Sequence, residues 1–244
     1  MIRMVRMAVV LALMLLMGGT SCGKAAPVPA VRADAQIGFG DGYAVVHSPI
    51  RPSRIGVVVI PSYDHQASEL VGQGWSKLAD ARHFVAIYPV RGGSWNAGLC
   101  CGAASLQNRD DVTWLVTMIA DLSVRFGLKT IFIVGDSNGA MMAERLVAEK
   151  PGIARRVAVW GGAPEMPLSG RWTGYIASYD GSKDKMVPHA GGVSSIIGQR
   201  VLIRAVTDLP RWLIGASINL VTVKGAGHSP VSGWPEIAWH ELSP

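Results

Sequence analysis

Ser137 stands in Gly135-Asp136-Ser137-Asn138-Gly139, a G-x-S-x-G pattern. Residues 131–134 before it form a short apolar run rich in β-branched side chains, long enough for one buried strand. Residues 140–150 after it read as a helix that Pro151 stops. A strand that turns sharply into a helix places a serine on a strained backbone, with glycines two residues away on either side leaving room for the turn. The helix N-terminal N–H groups then lie where negative charge would develop on a substrate. The pattern alone is loose in a chain with 29 Gly, and the plainer alternative is a βα turn with a capping serine.

A serine nucleophile needs a general base within hydrogen-bond reach, and an acid that holds the base. Of the six histidines, His228 lies in Lys224-Gly225-Ala226-Gly227-His228-Ser229-Pro230, just past the last clear apolar strand. A loop at the C-terminal end of a strand is where a side chain reaches the serine turn. His189 is the rival base, while His47 and His65 lie upstream and His83 and His240 read as surface or packing residues. For the acid, Asp184 is favoured, in the loop after the strand at 175–179; Asp180 or Asp208 is the alternative. The order Ser137, Asp184, His228 is that of an α/β-hydrolase.

The elements that would carry these residues alternate strand and helix. Strands are expected at 42–48 (an edge), 55–60, 84–88, 131–134, 157–160, 175–179 and 219–223, with 201–206 extended or the end of a helix. Helices are expected at 67–81, with Leu70, Trp75 and Leu78 on one stripe, and from a cap at Asp110 or Asp111 to about residue 125, with Val112, Leu115, Ile119 and Leu122 inward. Residues 209–213 read as a short helical piece, and 238–242 close the chain. The alternation implies a mostly parallel central sheet with helices on both faces, an α/β-hydrolase fold in a single domain at 37–244. Residues 89–107 form a long Gly-rich loop, of the kind that usually serves function.

With 244 residues and 49% apolar composition, the chain is long enough for one domain with a sizeable core. The formal charge is +6; Arg3 and Arg6 lie in a leader, so the remainder carries about +4. The basic residues form no stripe and no basic–aromatic module, so no nucleic-acid partner is expected. Residues 1–22 read as a secretory signal peptide: Arg3 and Arg6, an apolar stretch at 7–17, then Gly18-Gly19-Thr20-Ser21-Cys22. They also resemble a bacterial lipoprotein leader in which Cys22 is lipidated, although Gly19 stands where such leaders usually have Leu. Cleavage after Ala33-Asp34-Ala35 and a retained membrane helix are the rivals; the uncharged stretch is short for spanning. Residues 23–36 read as a flexible tether. The protein is therefore expected to be exported, extracellular or tied to the cell envelope. Cys100 and Cys101 are adjacent: either a vicinal disulfide or two buried thiols, and a poor zinc site. No metal, no cofactor and no obligate protein partner is expected.

Several blocks together resemble the secreted polyhydroxybutyrate depolymerase and feruloyl-esterase-like (LpqC-type) hydrolases, over about residues 57–235. They are Gly135-x-Ser137-Asn138-Gly139-Ala140-Met141-Met142, Ser94-Trp95-Asn96-Ala97-Gly98 with Cys100 and Cys101, Asp184-x-x-Val187-Pro188 with Gly191-Gly192, and Gly227-His228. The resemblance implies Ser137 as nucleophile, Asp184 as orienting acid, His228 as base, and a small ester or short oligoester as substrate, of hydroxyacid or aromatic acyl type. The Asn138 N–H would supply one oxyanion donor and the Tyr63 N–H a second; Trp95 and Asn96 are candidates for the pocket wall, Trp95 equally for a loop anchor.

The chain departs from that family's pattern in several places. Ile60-Pro61-Ser62-Tyr63 replaces the usual Leu-His-Gly, and Asp180 stands where a histidine usually does. Residues 229–233 intervene between His228 and Trp234-Pro235. Ala148 replaces a cysteine, which leaves one of Cys100 and Cys101 without that partner if the family's cysteine pairs with this loop. Asp136 adds negative charge beside the serine. A non-catalytic envelope binding module on the same scaffold is the alternative from another class, and a peptidase or acyltransferase with the same triad is a nearer one.

Overall fold

The computed structural model describes residues 34–65, 67–196 and 198–243. The leader, Cys22 and most of the tether lie outside the described residues. The elements, in order, are β1 (Ala35–Phe39), β2 (Gly42–His47), β3 (Ile55–Ile60), α1 (Ala67–Gly72), α2 (Trp75–Arg82), β4 (Val85–Val90), α3 (Gly102–Leu106), α4 (Asp111–Phe126), β5 (Thr130–Asp136) and α5 (Asn138–Glu149). There follow β6 (Arg156–Trp160), β7 (Gly170–Arg171), β8 (Tyr175–Gly181), β9 (Gly192–Ile196), β10 (Gln199–Ile203), α6 (Leu209–Trp212), β11 (Leu213–Ile214), β12 (Ser217–Val223) and α7 (Trp234–Leu242).

Eight strands form one sheet in the order β1-β2-β4-β3-β5-β6-β8-β12. The pairs β1–β2 and β2–β4 are antiparallel and the rest are parallel. Both faces are covered, which is why β3 reads IGVVVI with no polar alternation. Successive side chains of a strand point to opposite faces. Val58 and Ile60 accordingly join the core with α4 and α5, while Val57 and Val59 join the core with α1, α2 and α7. Asp110 caps α4 by accepting from the Thr113 N–H at 2.9 Å, and Val112, Leu115, Ile119 and Leu122 are buried as the spacing predicts.

The structure differs from the sequence reading in five places, of which one is the loop expected over 89–107: it begins after Val90, the end of β4, and contains α3 at Gly102–Leu106. The expected helix over 67–81 is two helices, broken around Gln73 between Gly72 and Gly74, with Gly74 at φ 101°. Two glycines within three residues each cost a helix about 1 kcal/mol, and that is enough to stop it. The stripe itself survives, since Leu70, Trp75 and Leu78 are all buried. The sheet edge on this side is β1, not β2, and β1 takes up Ala35 and Gln36, which the sequence assigns to the tether. Residues 201–203 are extended, as the sequence allows, but in β10 of a β9–β10 antiparallel hairpin outside the main sheet, and Val206 begins a short 3-10 turn. The end of the chain is a nine-residue helix that begins at Trp234 and has Pro235 in its first turn, where a missing N–H costs nothing.

The turn from β5 into α5 is packed to the limit. A Cβ on Gly139 would lie 2.3 Å from the Ile60 carbonyl oxygen and 2.5 Å from that of Pro61. Those atoms are backbone and cannot swing aside. Gly139→Ala is expected to lower the melting temperature by about 2–12 °C, from a cost of about 1–3 kcal/mol for overpacking. Gly152→Ala, where a Cβ meets nothing within 4 Å, is the control and should melt near wild type. Equal melting of the two variants would show that the β5–α5 turn has slack.

Candidate active site

The site is assembled at the C-terminal ends of β5, β6 and β8 and in the loop after β12. Ser137 sits between β5 and α5 at φ 52°, ψ −120°, outside the regions a non-glycine residue normally occupies. Its N–H donates to the Trp160 carbonyl at 2.8 Å, and its own carbonyl accepts from the Met141 N–H at 3.1 Å, so the strained residue is fixed from both sides. Gly135 is required as firmly as Gly139, because a Cβ there would lie 2.4 Å from the Gly139 carbonyl oxygen.

The structure brings Ser137, His228 and Asp184 together. His228 Nε2 lies 2.7 Å from Ser137 Oγ, and His228 Nδ1 lies 2.7 Å from Asp184 Oδ2. The other carboxylate oxygen of Asp184 accepts from the Met186 and Val187 N–H groups at 2.8 and 2.9 Å, which locks the carboxylate's orientation. The histidine loop is held in turn. The Trp160 indole donates to the His228 carbonyl at 2.9 Å, the Lys183 N–H donates to the Ala226 carbonyl at 2.8 Å, and the His228 ring lies against Gly161, where a Cβ would sit 3.3 Å away. The rival pair forms its own contact: His189 Nδ1 lies 3.1 Å from Asp180 Oδ2, and the Thr222 hydroxyl donates to Asp180 Oδ1. Asp208 pairs with Arg211 on the surface.

A cavity of about 430 Å³ opens beside Ser137 and His228. Ser62, His65, Gln73 and Asp136 line one part of it, and residues 229–235, the segment between His228 and Trp234-Pro235 included, line another. Ser62 is the member of the Pro61-Ser62-Tyr63 segment that faces this cavity, whereas the Tyr63 ring packs over Gly102. Neither the Ser62 nor the Tyr63 N–H has a hydrogen-bond acceptor among the described residues. The Asn138 N–H belongs to the first turn of α5, whose amides have no partner within the helix.

Trp95 and Asn96 stand elsewhere than in the pocket wall. Both are buried and neither lines this cavity. The Trp95 indole donates to the Pro61 carbonyl at 3.0 Å; its N–H donates to Asn138 Oδ1 at 2.7 Å, and its carbonyl accepts from Asn138 Nδ2 at 3.0 Å. The Asn96 N–H donates to Asp111 Oδ2 at 2.8 Å, and Asp111 is held by Arg91 and Arg109. Polar atoms satisfied this completely anchor a loop and leave nothing for a ligand. Cys100 and Cys101 are bonded to each other and buried, in a small apolar cluster with Met141 and Val187. Among the described residues no group of three or more His, Cys, Asp and Glu side chains could hold a metal ion.

No family model matches the sequence, including any for the narrower esterase family that its motifs resemble, and no curated protein matches it. Solved structures do. A carboxylesterase from Bacillus cereus superposes with a TM-score of 0.62 at 12% identity, over 82% of this chain and 92% of that one. A carboxylesterase from Mesorhizobium loti gives 0.60 at 15%, over 84% and 96%. An acetyl xylan esterase from Aspergillus awamori gives 0.55 at 16%, over 87% and 100%. The fold is that of the α/β-hydrolases. Identities this low carry the fold and leave the chemistry to the site itself.

Three buried carboxyls near the site are shifted upward. Burial raises Asp136 to about 6, with the charges of His65 and His228 pulling the other way. Burial raises Glu165, against a hydrogen bond from the Arg204 N–H. Glu144, on α5, is raised well above its ordinary value by burial and then by the charge of Glu165, and neither of its oxygens has a partner among the described residues. A carboxyl raised in the folded state favours folding when protonated, and that contribution is lost as pH rises through the folded value. Glu144→Gln keeps the shape and removes the charge. It is expected to match wild type in urea midpoint near pH 4.5 and to exceed it at pH 8. A midpoint difference independent of pH would mean that Glu144 is not the group responsible.

Proposed function

We propose that the protein is a serine carboxylic-ester hydrolase that works through an acyl-enzyme. The observation that carries this is the unbroken Asp184–His228–Ser137 hydrogen-bonded line, with both links at 2.7 Å, ending on a serine that faces a cavity. In this reading Ser137 Oγ attacks the ester carbonyl while His228 Nε2 takes its proton. Asp184 holds the Nδ1–H tautomer and stabilises the imidazolium as it forms. The Asn138 N–H and an N–H of the Ser62–Tyr63 segment receive the oxyanion. His228 then protonates the leaving alcohol, and water repeats the sequence to release the acid. Each group named is a side chain or amide of this chain. Carboxylesterases and an acetyl xylan esterase among proteins of like fold support ester chemistry on this scaffold.

A cavity of this size suits a small ester or a short oligoester. The motifs shared with the polyhydroxybutyrate depolymerase and feruloyl-esterase-like proteins favour hydroxyacid or aromatic acyl groups. The leader supports export from the cytoplasm, and a lipidated Cys22 would anchor the enzyme in the envelope. If so, Cys22→Ala shifts the protein from the membrane to the soluble fraction.

Ser137→Ala, His228→Ala and Asp184→Asn are each expected to cut kcat/KM on a short-chain p-nitrophenyl ester by about 10⁴-fold or more while the melting curve holds. His189→Ala should leave turnover near wild type, since that ring is paired with Asp180. A fluorophosphonate probe should label wild type at Ser137. Folded wild-type protein that neither labels nor turns over any ester would rule out the esterase reading. Loss of turnover in His189→Ala with His228→Ala unaffected would overturn the choice of base.

A further inference from the structure

Four aspartates are buried in the described residues: Asp111, Asp136, Asp180 and Asp184. Three of them are fully engaged. Asp111 receives Arg91, Arg109 and the Asn96 N–H; Asp180 receives Thr222 and His189; Asp184 receives His228 and two backbone amides. Asp136 is the exception. It is only 7% exposed, the one hydrogen bond to its carboxyl comes from its own N–H, no other described residue bonds it, and it lines the cavity that Ser137 and His228 also line. A largely buried carboxylate bonded only by its own N–H keeps acceptor capacity that solvent does not fill, and a ligand that supplies a donor uses it. The surrounding wall is mixed: Ser62, His65, Gln73, Ser229 and Ser232 are polar, and Val231 and Trp234 apolar. Glu144 has no partner on either oxygen among the described residues, but it lines no part of this cavity and so meets no ligand there.

We propose that Asp136 determines substrate specificity: its carboxyl accepts a hydrogen bond from a donor on the ester, a hydroxyl or an ammonium, and selects such esters over alkyl ones. The proposal rests on the serine-esterase reading of the same site. A site built to hydrogen-bond a substrate group rejects the analogue that lacks it, because the buried acceptor is then left unpaired. The same carboxylate disfavours a second anionic group in the cavity, so a dicarboxylic half-ester should be a poor substrate. With its carboxyl raised to about 6, Asp136 is the stronger acceptor above that pH. The charged groups facing it are His65, which has Glu69 3.5 Å away, and His228, which serves all substrates alike and cancels in a ratio between two of them.

The test compares esters in which a methyl replaces the donor at equal size. On the acyl side, methyl 3-hydroxybutyrate and methyl 3-aminobutyrate are set against methyl 3-methylbutyrate; on the alcohol side, 2-hydroxyethyl butyrate is set against propyl butyrate. Wild type should prefer the donor-bearing member of at least one comparison by about 10- to 100-fold in kcat/KM, the range of a hydrogen bond to a charged group. The hydroxyl and amine arms separate the two donors. Asp136→Ala should bring that ratio to within about threefold, and Asp136→Asn, which keeps one acceptor oxygen, should lose the amine preference first. A merely structural role would lower both members of each pair equally and leave the ratio alone. Fluorophosphonate labelling of Ser137 confirms that each variant is folded at the site. Should neither variant fold, the wild-type ratio read from pH 5 to 8 decides, since it should rise through about pH 6. Ratios near one in wild type, or ratios that both variants preserve, overturn this proposal and leave the esterase reading standing. Wild type that labels with no probe and cleaves none of the esters removes that reading and this proposal with it.

Discussion

Gly139 lies so close to the Ile60 and Pro61 carbonyls that no side chain fits between them, and the site is built outward from that contact. It sets the first turn of α5 directly against the end of β3. The Pro61–Tyr63 segment that follows β3 is thereby held close to the start of α5. Ser137 is left at φ 52°, a conformation it keeps only because its neighbours over-determine it. Its N–H is tied to β6 and its carbonyl to α5. A strained residue held in this way needs no rearrangement to point its hydroxyl at His228, and preorganisation of that kind is what electrostatic catalysis requires.

The loop through Trp95 turns this contact into a clamp. One indole bond holds the Pro61 carbonyl, and a reciprocal pair of bonds joins the Trp95 backbone to the Asn138 side chain. The two segments that would donate to an oxyanion are therefore braced by the same residue, from behind. Asn96 extends the brace to Asp111, which is neutralised by Arg91 and Arg109. Buried charge of that kind is tolerated when it is paired and hydrogen-bonded, and here it fixes the root of α4 to the loop.

Much of the fold was readable because the chemistry that forms each element is local. The β3 run of apolar residues, the Asp110 cap and the stripe of α4 are all set within a few positions. The serine turn was readable for the same reason, since its glycines are demanded by neighbours that any such turn must have. What sequence could not supply was long-range. Trp95 reads equally as pocket wall or loop anchor and Asn96 as pocket wall, and only their partners at Pro61, Asn138 and Asp111 show that both are anchors. The β9–β10 hairpin was missed because its outward face mixes Val193 and Leu202 with Ser195 and Arg200, so no clean alternation marks it. Residues 229–233 showed in the sequence as an intervening segment, with nothing to say that it forms a cavity wall.

Two aspartates act on the same histidine from different environments, and the contrast explains why one is suited to orient and the other to select. Asp184 spends three hydrogen bonds, one on the imidazole and two on backbone amides, so its position is fixed and it has little left to offer a ligand. Asp136 is shielded from solvent and bonded only by its own N–H, and its carboxyl stays responsive to whatever enters the cavity. Its charge lies beside the serine that would attack the ester, close to where the substrate's oxyanion would form, which opposes catalysis by simple repulsion. A feature with that cost is expected to persist only where it returns something to the reaction. A substrate donor resting on the carboxyl would do so, neutralising the unfavourable charge at the moment the ester is held against Ser137. On that argument, binding of the right ester and relief of the site's own electrostatic strain are one event.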